Sequence, residues 1–489
     1  MTIHKKIFFI ILLAFFTGCS ASANDNQRQT SKLYESMFHN GQADVAELNL
    51  FFTQMPKGGD LHHHYTGSIY AETYLDWVER KNWWINPCTL RIITTQESGA
   101  CASITVPQLE TNNALYRKLL TLWSDMDYRN HFHIQPPPDS NFFSTFGYFG
   151  TVSNEFMRDG LEIIKQRAIK ENINYIETML TSVPVKSADY FSPEETDELN
   201  AQLRNAHSPE EVDKLLAQIA ARLGSNDKFL AAVDGYVSRL TAVHQDLDND
   251  VFMMRFQSYA SRTANPLQVF TNLYAGFMAS NKSPLIVGVN IVAPENDVVA
   301  LADYTLHMRM FDYLHRQYPT VHRALHAGEL TLGLVKPDDL QFHIRQALEI
   351  AHAQRIGHGV DLPYEQNPTE LLRELKQSDT AIEINLSSNQ FILGVEGKAH
   401  PYLIYSSYGV PLVISTDDSG VSRNNLSNEY MLLASRYHPS YGRIKAYVYN
   451  SIKYSFLSPD DKSAARNVLD KKFAEFEKEM AELDGHLKK

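Results

Sequence analysis

The chain has 489 residues, 44% of them apolar and 21% charged, which is the composition of a globular protein and excludes a disordered one. At this length a single core usually stops growing, so one large domain with insertions, or two domains, is expected. The formal charge of −12 argues against a nucleic-acid-binding surface.

In chain order, Lys5-Lys6 and the apolar stretch Ile7 to Phe16 read as an export signal, because the run is too short for an ordinary membrane span. It ends in Phe16-Thr17-Gly18-Cys19, which resembles a bacterial lipobox. Residues 1–18 are then the signal peptide and Cys19 the lipidated first residue of a protein in the periplasm or outer membrane, held to the membrane only by that lipid. Ala21-Ser22-Ala23 offers a competing cleavage site that would release a soluble periplasmic or secreted protein. Residues 19–52 read as a tether, polar to about Gln29, followed by two short helices spaced by Leu33, Met37, Val45, Leu48 and Phe51. With Cys19 assigned to the signal, Cys88 and Cys101 remain, and an oxidising compartment makes them a disulfide.

The remainder, 53–489, reads as one catalytic domain. Its first strand ends in His62-His63-His64 and is followed by a helix holding Ile69, Tyr70 and Tyr74 to Val78. Residues 80–138, with the cysteine pair, Trp83-Trp84, a β-rich Leu90 to Thr95 and Pro136-Pro137-Pro138, break the rhythm and read as an insertion. Beyond it, apolar strands are predicted at Ile173–Met179, Val251–Gln257, Leu285–Val292, Arg323–His326, Arg355–His358, Ala381–Leu386 and Pro411–Ser415. Helical stretches separate them at Ala201–Leu223, Leu267–Ala279, Val298–Gln317 and Asp339–Ala351, and Ser458 to Lys489 reads as terminal helices. Strands alternating with helices imply an α/β fold with a parallel sheet, and eight such units suggest a (β/α)8 TIM-type barrel. No Gly-x-Gly-x-x-Gly follows the first strand, which weakens the doubly wound alternative.

Active sites of such barrels are assembled at the C-terminal ends of the strands. In a strand His62 and His64 share one face and His63 takes the other, so His63 is not expected to be a ligand. Further along, the ends carry His326-Ala327-Gly328-Glu329, Gly357-His358-Gly359 and Thr416-Asp417-Asp418-Ser419. Any one of these has a bland reading: a hydrogen-bonded histidine, a helix-capping aspartate, a surface carboxylate. Together, three histidines and one aspartate suit Zn2+ with a position left for water.

These stretches resemble the adenosine deaminase family of the metal-dependent hydrolase superfamily. The Met55-Pro56-Lys57-Gly58 approach, the signal and the disulfide-bearing insertion are more similar to its secreted, growth-factor-like branch. The resemblance implies one Zn2+ per chain on His62, His64, His326 and Asp417, with His358 taking the proton of the attacking water and Asp417 sharing in its orientation. It also implies that a protonated Glu329 donates to purine N1, and that His64, Asp418 and the backbone of Ala293 contact the substrate. Trp123, in the insertion, is a further candidate contact. Four positions depart from the family pattern. Tyr65-Thr66 replace an Asp near the ribose 5′-hydroxyl, Ala293 a glycine, Ser419 a proline, and Asn385-Leu386 a Cys-Pro. The expected activity is hydrolytic deamination of adenosine, and of 2′-deoxyadenosine, to the 6-oxopurine and ammonia. The changed sugar-side residues leave another 6-aminopurine open: a nucleotide, a modified adenosine or the free base. A binding or signalling protein on a silent barrel is the reading from another class. A homodimer is a guess carried over from the secreted branch.

Overall fold

Eight short segments pair side by side as parallel strands in their order along the chain: β1 (Gly58–His64), β2 (Ile173–Met179), β3 (Met253–Ser261), β4 (Ile286–Val292), β5 (His322–Ala327), β6 (Arg355–His358), β7 (Ala381–Ile384) and β8 (Leu412–Ile414). The computed structural model describes residues 25–128 and 136–487. The signal segment and Cys19 lie outside the described residues. Between β8 and β1 the ring is closed by backbone bonds just past the strand, where Asp417 N–H donates to His62 O at 2.9 Å and His64 N–H donates to Asp417 O at 3.4 Å. The expected barrel is therefore present. Its strands are buried on both faces, as the continuous burial of β2 illustrates.

The barrel is filled below the site by a buried ionic layer. Arg355, at the start of β6, reaches Glu177 on β2 at 2.7 Å and Glu383 on β7 at 2.6 Å, and its guanidinium lies 3.8 Å from the centre of the Phe456 ring. A buried charge is tolerated only when paired and hydrogen-bonded. Here the pairing also holds Glu383 under the first histidine of the site.

Helices cover the outside, and most boundaries follow local chemistry. The helix Val298–Gln317 starts where the Asp297 carboxylate accepts Val299 N–H at 2.8 Å. The single helix expected over Ala201–Leu223 is two, Pro193–Asn205 and Pro209–Gly224, because Ser208 caps and Pro209 opens a new first turn. The expected Asp339–Ala351 helix is a 3₁₀ turn at Pro337–Leu340 followed by His343–Glu349. After β1 a short turn of helix at Tyr65–Ser68 precedes Ala71–Arg80, so Ile69 and Tyr70 lie between helices. The tether reading fails over its last residues: 25–36 is helical, and the segment is docked, with Tyr34 Oη donating to Pro439 O at 2.9 Å.

The insertion after the first helix carries a two-stranded hairpin (Trp84–Ile85 with Ile92–Ile93), shorter than the β-rich stretch expected, and the helices Val106–Glu110 and Asn113–Trp123. Cys88 and Cys101 form a disulfide with Cα atoms 5.7 Å apart. The insertion leads into an aromatic helix, Pro138–Ser153, whose position the hairpin helps set: Arg91 Nη1 donates to Gly147 O at 2.8 Å.

Candidate metal centre and substrate cavity

The histidines of β1 reach the barrel mouth because the strand alternates its faces. His62 and His64 point inward, whereas His63 turns toward β2, with Nδ1 2.9 Å from Thr178 Oγ1. From β5 comes His326, and from the turn after β8 Asp417. The ligand atoms of these four lie within 4.8 Å of one another. His64 Nε2 is 3.2 Å from His326 Nε2, and Asp417 Oδ1 lies 3.3 Å from His64 Nε2 and 3.5 Å from His62 Nε2.

The polarity of this group fits a shared cation. His62 Nε2 is fully buried with no partner among the described residues. The opposite ring nitrogens are engaged behind it, His62 Nδ1 by Glu383 at 2.7 Å and His326 Nδ1 by Asn290 Oδ1 at 2.9 Å. That outer ring fixes the tautomers and turns each Nε2 lone pair inward. Burial and the neighbouring imidazoles hold His326 well below the usual histidine range, and burial lowers His64, so both are neutral as metal ligation requires. At His62 burial also opposes charge, but Asp417 and Glu383 reverse it and push the group up to about 10. Positive charge is thus stabilised at the centre of the cluster.

Glu329, His358 and Asp417 form a second group within the same distance. Burial, then Asp417 and Glu295, raise Glu329 well above the carboxylate range, which favours its protonated form. Burial and Asp417 do the same to Asp418. Two glycines, Gly357 in β6 and Gly67 in the helical turn after β1, leave room for this crowding. A Cβ on Gly357 would meet His62 Cε1 at 2.6 Å, and one on Gly67 would meet Asp418 Oδ1 at 1.5 Å. His358 and Asp417 have φ of +70° and +61°, in the left-handed region that non-glycine residues seldom enter.

These groups open into a cavity of about 480 Å³. Of the residues expected to touch substrate, His64, Asp418 and Ala293 line it, and Thr66 does so too. Trp123 does not: it is 1% exposed, packed in the insertion with Nε1 donating to Leu90 O, because its helix faces the disulfide hairpin and not the mouth. Tyr65 also points away, into the groove over Gly160, where its hydroxyl donates to Ser153 O at 3.3 Å. Sequence reasoning missed the aromatic wall Phe142, Phe143 and Phe146, together with Tyr259, Thr263 and Asp297. The phenylalanine spacing was the available signal.

Ala293 has φ +83°, so the backbone turn usual for glycine is kept with a Cβ in place. Ala293→Gly is expected to unfold within about 1 kcal/mol of the parent, since relief of strain and added chain entropy oppose each other. Ala293→Val should lower stability by roughly 1–3 kcal/mol in urea titration, as a β-branched residue tolerates this region worst.

Behind Glu329 sits Glu295, which accepts N–H bonds from Gly328 at 3.1 Å and Glu329 at 2.9 Å and pairs with His343 at 2.5 Å. Burial pushes its carboxyl up, but Arg262 and His343 outweigh this and hold it at about 2, below the ordinary 4.5. A depressed carboxyl contributes stability that is complete above about pH 4.5 and lost as pH falls toward 2, about 3 kcal/mol for such a shift. Glu295→Gln should therefore be less stable near pH 6, with the gap to the parent closing between pH 5 and pH 2 in acid-unfolding curves.

A parallel barrel with a three-histidine, one-aspartate centre and an adjoining buried acid at its C-terminal mouth has the make-up of the metal-dependent hydrolase class. The adenosine deaminase family model matches residues 243–472, which span β3 to β8 and most of the site but not His62 and His64. An adenosine deaminase of Enterococcus faecalis is 31% identical over 151 residues, covering 31% of this chain and 41% of that protein. An adenine deaminase of Rhizobium leguminosarum is 30% identical over 192 residues, 39% of this chain and 54% of that protein. The chain thus matches about half the length of these curated relatives. The N6-mAMP deaminase of Arabidopsis superposes with a TM-score of 0.55 at 17% identity, over 86% of this chain and 99% of that one, a likeness of fold. Residues 243–472 of this chain are thus similar to the adenosine deaminase family.

Proposed function

We propose that the protein hydrolyses the exocyclic amine of a 6-aminopurine, with adenosine and 2′-deoxyadenosine as its substrates, and that it works outside the cytoplasm. The observation that carries this is the placing of two buried acids, Glu329 and Asp418, both in surroundings that favour the protonated form, in one cavity with the histidine–aspartate cluster. Purine N1 and N7 are acceptors, so a carboxyl can grip them only while it keeps its proton. Glu329 donates to N1, which draws electron density from the ring and opens C6 to attack, and Asp418 donates to N7. Zinc on His62, His64, His326 and Asp417 would supply a water nucleophile at neutral pH.

The lining favours a nucleoside. Among the described residues no lysine or arginine faces the cavity, so a phosphate would find no cationic side chain to pair with there. The space extends past the catalytic acids to Thr66, Thr263 and the phenylalanine wall, which leaves room for a sugar. Export is supported by the Lys5-Lys6 signal pattern and by the Cys88–Cys101 disulfide.

The test is ammonia release by the zinc-loaded protein from adenosine, 2′-deoxyadenosine, adenine, AMP and N6-methyl-AMP. The two nucleosides should lead in kcat/KM. Release from AMP or adenine alone would move the substrate, and no release from any would sink the deaminase reading.

A further inference from the structure

Four buried groups in a row decide where His358 carries its hydrogen. The chain starts at the backbone N–H of Tyr402, which donates to His400 Nδ1 at 3.1 Å. A backbone amide can only donate, so that ring nitrogen holds a lone pair and the neutral imidazole carries its hydrogen on Nε2. Burial, then Arg436, lowers His400 to about 3, so the ring is neutral. Its Nε2 lies 3.1 Å from Asn389 Oδ1, the end of the amide able to accept. The other end, Asn389 Nδ2, stands 2.9 Å from His358 Nδ1 and can only donate. Asn385 Nδ2 adds a longer donor, 3.4 Å from the same nitrogen. His358, Asn389 and His400 are each at most 3% exposed, so solvent does not compete for these bonds.

The direction of the chain cannot be reversed without facing two donors at His400. His358 Nδ1 is therefore the accepting atom, and a neutral His358 points Nε2–H into the site. That nitrogen has no partner among the described residues, and Asp417 Oδ2 is 3.8 Å away.

We propose that Asn389 and His400 are positioning residues that lock His358 in its Nε2–H tautomer, so that His358 donates to the attacking oxygen and orients it instead of taking its proton. The kinetic part rests on the deaminase reading; the tautomer does not. The proton lost by the attacking water then passes to Glu329, whose own proton has gone to purine N1. Glu329, His358 and Asp417 are close enough for that exchange, with their ligand-type atoms within 4.8 Å. The carboxyl ends the step as it began, protonated, and the water has become a hydroxyl on C6 with hydrogen on N1.

The test uses the full chain labelled with 15N-histidine, with and without zinc, the His358 signals being assigned by their loss in His358→Gln. Expected are a non-protonated shift at Nδ1 and a protonated one at Nε2 with one-bond N–H coupling. Asn389→Asp, whose carboxylate only accepts, should transfer the hydrogen to Nδ1 and lower kcat on the order of 100-fold, with KM changed about two-fold or less. His400→Gln keeps an amide donor and should hold the parent tautomer and most of kcat, whereas His400→Leu should not. Hydrogen on Nδ1 of the parent, or an Asn389→Asp variant with parental kcat, would overturn the proposal. Because the spectra of the parent protein decide the tautomer, a variant that fails to fold leaves the test standing. If no aminopurine is turned over, the deaminase reading falls while the spectra still decide the tautomer.

Discussion

Replacing Glu329 by glutamine is expected to cut kcat roughly 10²–10⁴-fold, the range for a group that transfers a proton in the transition state. The two side chains have nearly the same shape, and the amide can still donate to N1. It cannot give its hydrogen up, so binding survives while protonation of the ring does not, and KM should stay within a few-fold. Glu329 is 7% exposed and faces Asp417 and Glu295, and those surroundings keep it protonated in the parent. The amide is as neutral as the protonated acid it replaces and has nearly its shape, so thermal unfolding should not fall. Ammonia release at saturating adenosine, with a melting curve and metal analysis on the same preparation, makes the check. Parental kcat would show that another group protonates the ring.

Much of the barrel was legible because its strands are buried on both faces and stand in the sequence as short apolar runs. β2 and β6 begin and end where the periodicity put them. Cα geometry at strand ends also made the His62–His64 pair readable, since period two is a local property. Helix boundaries failed where capping outweighs periodicity: Ser208 and Pro209 split a continuous apolar pattern. Trp123 misled because a tryptophan in an insertion looks available, whereas only packing shows that its N–H is taken by Leu90. The helix Pro138–Ser153 has no clean polar face, as one side packs on the protein and the other walls the cavity. Least legible was the support behind the site. Glu383, Asn290, Asn389 and His400 come from separate elements, and nothing local in the sequence tells that each engages a site imidazole or the next link behind it. The left-handed backbone at Ala293 was foreseeable only as a question, because alanine does not advertise it.

Removing two ligands tests the centre most directly. In a His62→Ala, His64→Ala double variant, zinc content is expected to fall from about one ion per chain to a small fraction of that, and activity with it. Ligand loss acts on the metal site itself, whereas losing an outer partner typically costs 10–100-fold. The remaining His326 and Asp417 supply one nitrogen and one carboxylate, short of the four ligands a zinc site ordinarily uses. The substitution also strips Glu383 of its partner at 2.7 Å, but Arg355 still holds that carboxylate at 2.6 Å. The fold should therefore survive with a loss of about 1–3 kcal/mol, as for a buried group left short of one bond. His63→Ala is the control: it removes the 2.9 Å contact to Thr178 on the outer face of β1 and should leave zinc at the parental level. Metal analysis after exhaustive dialysis, read beside circular dichroism, separates the two. A double variant that keeps stoichiometric zinc would place the ion elsewhere, and a His63→Ala protein that loses it would mean that β1 presents its other face to the metal.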